Sequence, residues 1–97
     1  MYLGIDLGTS SVKALLIDAE QAIVDSASAE VPLSRPHQGW SEQDPAHWIA
    51  ATEKALAALQ RNHSAEMAAV RGIGLSGHMH GATLLGADNE VLRPCIM

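Results

Sequence analysis

Three short runs of apolar residues open the chain and predict three strands. They cover residues 2–6, 11–18 and 22–31, and turn-forming residues separate them at positions 7–10 and 18–21. These connections are too short for parallel pairing, which needs a long crossover. The pattern therefore predicts an antiparallel meander.

The clearest helix pattern follows a polar loop that covers residues 32–43. Asp44 is a suitable N-cap, and Pro45 would occupy the first helical position, where its missing N–H costs nothing. Spacings of three and four residues place one stripe of mainly apolar side chains on the predicted core face. The polar residues 61–63 are predicted to end the helix. The stripe consists of Trp48, Thr52, Ala55, Leu56 and Leu59.

After the helix, residues 70–75 predict a strand that returns to the sheet. Residues 76–81 form a glycine-bounded loop, 82–85 predict another short strand, 86–89 a turn, and 90–97 a further apolar strand. The predicted order is β-β-β-α-β-β in an α/β class with an incomplete sheet.

A chain of 97 residues is at most one domain. An apolar strand at the end of a chain exposes unpaired backbone groups. We therefore expect residues 1–97 to be a truncated N-terminal part of a domain, without a second lobe.

Composition narrows the classes of partner. The chain is 47% hydrophobic and carries a net charge of −5 with scattered basic residues, which disfavours nucleic acid or an anionic membrane as a partner. It has neither a basic leader nor a long apolar run, so we expect a cytoplasmic protein. The single cysteine, Cys95, is predicted to be a small apolar side chain in a buried strand.

The turn between the first two predicted strands has the chemistry of a phosphate site. A glycine there lets the backbone approach an anion, successive N–H groups form a concavity, and hydroxyls and a lysine add donors. The candidate phosphate-binding residues are Gly8, Thr9, Ser10, Ser11 and Lys13. A P-loop is excluded because the turn leads into a strand rather than a helix.

Asp6 would repel a phosphate placed beside it. Its carboxylate suits this position if Mg²⁺ lies between the two groups, usually with water retained on the metal. The alternative is an ordinary hairpin in which Asp6 caps backbone amides.

The string Gly-Ile-Asp-Leu-Gly-Thr-Ser-Ser-Val-Lys at residues 4–13 resembles the first phosphate motif of the FGGY carbohydrate kinases. That resemblance implies part of an actin-like ATPase (ribonuclease H-like) domain, in which the hairpin wraps the phosphates of ATP. It also implies that Asp6 helps to place Mg²⁺ and the transferred phosphoryl group. Other kinases and ATPases of the superfamily share the D-x-G-[TS] core.

Two later segments narrow the resemblance. The run at residues 40–45, Trp-Ser-Glu-Gln-Asp-Pro, is similar to the segment before the first helix of FGGY kinases. Residues 73–82 resemble the substrate loop of the branch that phosphorylates D-xylulose, where a Gln-Met-His-Gly run is typical, which implies that Met79 and His80 touch the sugar. His78 replaces the usual glutamine; a neutral imidazole also offers one donor and one acceptor, and adds an expected pH dependence near neutrality.

Other interpretations of the histidines and tryptophans stay open. His78 and His80 could be half of a metal site with His63 or His37, although zinc needs three or four ligands and the only cysteine is remote. They could also be surface histidines without a ligand. Among the tryptophans, Trp48 is predicted to be core, whereas for the loop residue at position 40 packing against the helix is favoured over contact with the sugar region.

The resemblance implies ATP-dependent phosphorylation of D-xylulose to D-xylulose 5-phosphate by a longer chain, for which we expect a homodimer. The catalytic base, an aspartate in the family, would lie outside residues 1–97, so these residues alone are expected to be inactive. The alternatives are a non-catalytic module that binds sugar or phosphate, and an FGGY kinase for another sugar or polyol. Glycerol is disfavoured because a charged pair is typical of glycerol kinases where Met79 and His80 stand.

Overall fold

The computed structural model describes all residues, 1–97. The elements are β1 (Tyr2–Leu7), β2 (Ser11–Ile17), β3 (Ile23–Glu30), β4 (Glu42–Gln43), α1 (Pro45–Asn62), α2 (Ser64–Ala68), β5 (Ile73–Ser76) and β6 (Cys95–Ile96). Four strands form a sheet in the order β3-β2-β1-β5, on which α1 packs, and the two short strands β4 and β6 pair separately.

The predicted antiparallel meander is confirmed. In the first hairpin Leu3 lies opposite Leu16 and Asp6 lies opposite Lys13, and β3 continues the antiparallel pairing on the other side of β2. The second turn is fixed by the Asp18 carboxylate, which accepts hydrogen bonds from two backbone N–H groups within the turn. The predicted return of a strand to the sheet after the helix is confirmed, although β5 covers residues 73–76 rather than 70–75. It pairs with β1 in parallel.

Helix α1 begins where its capping residues predict. The Asp44 side chain accepts a hydrogen bond of 2.9 Å from the Ala46 N–H, and Pro45 occupies the first turn. The helix ends at Asn62, and the N–H of His63 donates to the Leu59 carbonyl.

The core lies between α1 and one face of the sheet. Ala55 and Leu59 are fully buried, as predicted, whereas Thr52 and Leu56 are half-buried and Ala51 takes the remaining core position. Trp48 is half-buried and packs at the edge of this core. The buried apolar side chains are Leu3, Val12, Ala14, Leu16, Ala29, Val31, Ala51, Ala55, Leu59 and Cys95.

The predicted strand at residues 82–85 is wrong. Only isolated bridges occur there, from Ala82 to Ile96 and from Leu85 to Val91. Glycines flank the segment and its leucines are exposed, so neither backbone nor packing favours a longer ladder. The turn at residues 86–89 is confirmed by the hydrogen bond from the Gly86 N–H to the Glu90 carbonyl.

The strand predicted at residues 90–97 is shorter in the structure, where only β6 (Cys95–Ile96) is a strand. Pro94 lies directly before β6 and has no N–H to donate to a neighbouring strand. Cys95 is buried in β6, as predicted. The sequence also missed β4, which is polar and only two residues long, and α2, which is too short to show a helical period. The observed order is therefore β-β-β-β-α-α-β-β rather than β-β-β-α-β-β.

None of the helices is at once long enough and apolar enough to cross a lipid bilayer.

Candidate functional site

The turn between β1 and β2 is built around Gly8. Its N–H donates to the Ser11 carbonyl oxygen at 2.9 Å. A Cβ atom at position 8 would lie 2.9 Å from that same oxygen, closer than side-chain carbons approach backbone oxygens. The turn therefore requires glycine at this position.

The two residues at the tip of this turn are held through their carbonyl groups. The Ser10 carbonyl accepts a hydrogen bond from the Val31 N–H at 2.9 Å, and the Thr9 carbonyl accepts one from the Gln43 side chain at 2.6 Å. The N–H groups of Thr9 and Ser10 donate to no other atom of the chain. Two adjacent amide donors are therefore available to an anion.

Asp6 lies in a row of polar residues on the sheet face opposite α1. The residue opposite Asp6 on the neighbouring strand β2 is Lys13, and the residue opposite it on β5 is Ser76. The Ser76 hydroxyl donates to Asp6 Oδ1 at 2.8 Å, and the second carboxylate oxygen has no partner in the chain. Gly4 and Gly74 have no side chains to cover the neighbouring part of this sheet face. An open depression of about 310 Å³ therefore lies beside the Asp6 carboxylate.

Sequence reasoning gave Ser76 no role, although a pattern could have found it. Gly4-Ile5-Asp6 and Gly74-Leu75-Ser76 repeat the same order of glycine, branched apolar and polar residue. Parallel pairing in register brings the two triplets side by side. The repeat therefore predicts that the polar ends of β1 and β5 meet.

The loop at residues 77–81 starts directly after Ser76 and is packed closely at both ends. A Cβ atom at Gly77 would lie 3.3 Å from the Leu7 side chain, and one at Gly81 would lie 3.0 Å from Cys95 Sγ. Between these glycines His78, Met79 and His80 line one open depression of about 320 Å³. The structure thus brings the three predicted sugar-binding residues together, one residue away from the group that bonds Asp6.

His78 is the most enclosed side chain of this loop. It is half-buried, and its ring centroid lies 5.7 Å from that of Trp48. Its Nε2 atom is inaccessible to solvent and has no hydrogen-bond partner. Met79 is 89% exposed by contrast, and His80 is exposed too, so the loop offers one anchored and two free side chains.

The predicted phosphate-binding residues do not share one depression. Asp6 and Lys13 line the depression on the sheet face. Ser10 and Ser11 line another, of about 680 Å³, together with Glu30 and two neighbouring residues. The Gly8–Thr9 turn connects these two groups of residues.

The donors near Asp6 suit a hydrated divalent cation better than a fully protein-bound one. A single carboxylate and a hydroxyl are present, and no three His, Cys, Asp or Glu side chains of the chain converge as metal ligands. Mg²⁺ commonly keeps several waters and takes one or two carboxylates together with phosphate oxygens. The residues present therefore fit a magnesium ion held through water.

Two of the remaining histidines, His63 and His37, lie in other contacts. His63 Nε2 is 2.8 Å from Asp25 Oδ2 at the end of α1. The rings of His37 and Trp40 form a T-shaped contact with their centroids 4.5 Å apart. Trp40 is half exposed. The alternative of a metal site formed with His78 and His80 therefore lacks the third ligand that zinc requires.

The sequence and the fold together define the class of protein. The chain belongs to the FGGY family of carbohydrate kinases, since the model of the N-terminal domain of that family matches residues 1–97.

Several of the proteins most similar in sequence are named xylulose kinases, and a gluconate kinase from Lactobacillus acidophilus is among the similar structures, with a TM-score of 0.88 at 29% identity over 98% of this chain and 19% of the other. Over 97 residues the chain is 48% identical to the xylulose kinase of Escherichia coli (strain K12) and 50% identical to that of Klebsiella pneumoniae; each match covers 100% of this chain and 20% of the relative. A crystal structure described as a xyloylose kinase from Brucella ovis superposes with a TM-score of 0.98 at 62% identity, over 99% of this chain and 20% of the other. The chain thus spans about a fifth of the length of these relatives, and the predicted partial actin-like ATPase fold is confirmed.

Proposed function

We propose that residues 1–97 are the N-terminal part of an ATP-dependent kinase that converts D-xylulose to D-xylulose 5-phosphate. The observation that carries this proposal is the hydrogen bond between Ser76 and Asp6. Asp6 lies just before the turn of the β1–β2 hairpin, which we call the phosphate hairpin, and Ser76 lies just before the loop at residues 77–81. The bond therefore places the proposed phosphate and sugar sites next to each other. The similarity to xylulose kinases supports the choice of substrate.

In this proposal the hairpin holds the phosphates of ATP. The free N–H groups of Thr9 and Ser10 would donate to phosphate oxygens, and Gly8 lets the backbone come close enough. Ser11 adds a hydroxyl and Lys13 adds a positive charge. Phosphoryl transfer depends mainly on positioning and on neutralising charge, and these groups serve both needs.

Asp6 would hold Mg²⁺ through water, and the bound ion would supply neutralisation of the phosphate charge. Ser76 donates to one oxygen of that carboxylate and so fixes its orientation. The other oxygen remains free to accept from a water of the ion.

Met79, His80 and His78 would orient the sugar so that its C5 hydroxyl faces the phosphate. The catalytic base and the second lobe would come from chain outside residues 1–97, since the relatives are about five times longer. Closure of two lobes excludes water from the transferred phosphoryl group. We therefore propose that the 97 residues alone are inactive and that the active form is the longer chain, as a homodimer.

The test is a kinase assay of the full-length protein with ATP, Mg²⁺ and a panel of D-xylulose, gluconate and glycerol. We expect D-xylulose to be phosphorylated with the highest kcat/KM. Asp6→Ala should lower kcat by about a hundredfold to a thousandfold, the scale of losing a charge-stabilising group in an active site. Asp88→Ala, in the exposed turn at residues 86–89, is the matched control and should leave kcat unchanged.

Each other result points to a definite alternative. Normal turnover by Asp6→Ala would remove the magnesium role from Asp6. A preference for gluconate or another polyol would assign a different FGGY substrate. Binding of sugar or phosphate without turnover by the full-length protein would indicate a non-catalytic module.

A further inference from the structure

Gln43 is a buried polar residue that the proposed reaction does not use. Its side chain is 1% exposed, and it lies in β4 directly before the N-cap of α1. The adjacent Glu42 is also buried, but its partner, the Arg93 guanidinium, lies at the opposite end of the chain. Gln43 instead reaches towards the phosphate hairpin.

Both ends of the Gln43 amide are hydrogen-bonded. Its Nε2 donates to the Thr9 carbonyl oxygen at 2.6 Å, and its Oε1 accepts from Trp48 Nε1 at 2.8 Å. An indole N–H can only donate and a carbonyl can only accept, so these partners fix which way round the amide lies. The side chain is therefore locked in a single orientation.

The bond to Thr9 also determines where the next N–H group lies. The Thr9 carbonyl and the Ser10 N–H belong to one peptide unit, which is planar and trans, so the two groups point in opposite directions. Fixing the carbonyl on Gln43 therefore aims the Ser10 N–H away from the protein side of the turn. The donation from Trp48 to Gln43 further polarises this chain of hydrogen bonds, which strengthens the final donor.

We propose that Gln43 is a positioning residue for phosphate binding: by holding the Thr9 carbonyl it aims the Ser10 N–H at the nucleotide. The proposal rests on the function proposed above. Gln43 does not touch the substrate. It acts through the Thr9–Ser10 peptide unit, and Trp48, which lies beside His78, keeps it in place.

The test uses Gln43→Glu in the full-length protein. An ionised glutamate still accepts from Trp48 but cannot donate to Thr9, and we expect the KM for ATP to rise about tenfold, the effect of leaving a buried partner unsatisfied. The KM for the sugar should stay within about twofold, because its loop keeps its contacts. A protonated glutamate regains the donor, so lowering the pH from about 8 to about 6 should bring the KM for ATP back towards the unmodified value.

The matched control is Gln60→Glu, the same change on the exposed surface of α1. It should alter neither KM, and its KM for ATP should follow the pH dependence of the unmodified protein. A second variant, Trp48→Phe, removes the donor to Gln43 without adding a charge. We expect it to raise the KM for ATP about threefold.

Gln43 would have only a structural role if Gln43→Glu raised the KM for ATP and the KM for the sugar by the same factor, and if the KM for ATP did not recover at lower pH. If that variant did not fold, an unchanged KM for ATP in Trp48→Phe would overturn the proposal. Absence of turnover in the unmodified protein would instead overturn the proposed function. In that case the affinity for ATP and Mg²⁺, measured by calorimetry, would still decide whether Gln43 positions the hairpin.

Discussion

The two sides of the sheet differ in how they are held. On the closed side, formed by β2, β3 and α1, the side chains of Val12, Leu16 and Leu59 are at most 1% exposed. On the open side, formed by β5 and residues 77–97, Ile73 is 61% exposed and Leu75 is 78% exposed. The apolar side chains of β2 therefore pack into a core beneath α1, whereas those of the edge strand β5 remain uncovered.

This difference separates stability from function. The closed side is stabilised by apolar burial, which is collective and tolerates many similar side chains. The open side is organised by single polar contacts, from Ser76 to Asp6 and from Arg93 to Glu42. The candidate site lies at the border between them, so its geometry should respond to changes that leave the core intact.

The largest effect on stability is expected from a leucine of the closed side. Leu16→Ala removes a fully buried side chain and should lower the free energy of unfolding by about 2–5 kcal/mol. Leu75→Ala, the same change on the open side, should shift it by no more than about 0.5 kcal/mol. Urea denaturation of the 97-residue chain measures both.

Equal losses for the two leucines would contradict the division into sides. That result would mean that Leu75 is covered in solution, by a second copy or by a rearranged loop.

A smaller difference in stability is expected between alanine substitutions at two glycines. Gly8→Ala places a Cβ atom 2.9 Å from a backbone oxygen and should destabilise the chain by about 1–3 kcal/mol, the usual cost of overpacking. Gly74→Ala meets no atom within 4 Å and should stabilise by up to about 1 kcal/mol, because alanine restricts the unfolded chain. Thermal unfolding compares them, and a loss of similar size at Gly74 would show that the open side is more tightly packed than the structure indicates.

Most of the closed side could be predicted from the sequence because its determinants are local. Short turns forced antiparallel pairing, and Asp44 with Pro45 fixed the start of α1. Apolar spacing located Ala55 and Leu59 in the core. In the first hairpin, Gly8 was expected from the same local logic.

The open side was predicted less well because its structure depends on long-range contacts. Residues 82–85 are apolar enough for a strand, but they form only two isolated bridges, one with Ile96 and one with Val91. Gln43 gave no local indication of a role, since its partner Thr9 is 34 positions away. Ser76 meets Asp6 only once the parallel register of β5 is known.

The smallest effect concerns the polar contact that ties β3 to the end of α1. A hydrogen bond from the Ser26 N–H, and secondly one from the His63 ring, hold the pKa of the Asp25 carboxyl below its ordinary value of 3.8. A lowered native pKa contributes stability above the unfolded value, which is lost as the pH falls below 3.8 and through the native pKa. We therefore expect the unfolding free energy to fall less steeply in this acid range for Asp25→Asn than for the unmodified chain.

Urea midpoints measured between about pH 5 and pH 2 show how steeply the unfolding free energy falls with pH. Glu53→Gln, an equal loss of charge on the exposed face of α1, is the matched control. An acid slope reduced as much by Glu53→Gln as by Asp25→Asn would mean that overall charge, and not the contact with Ser26 and His63, governs the response. A reduction confined to Asp25→Asn would show that the closed side, although held mainly by apolar burial, also depends on one polar contact at its outer strand.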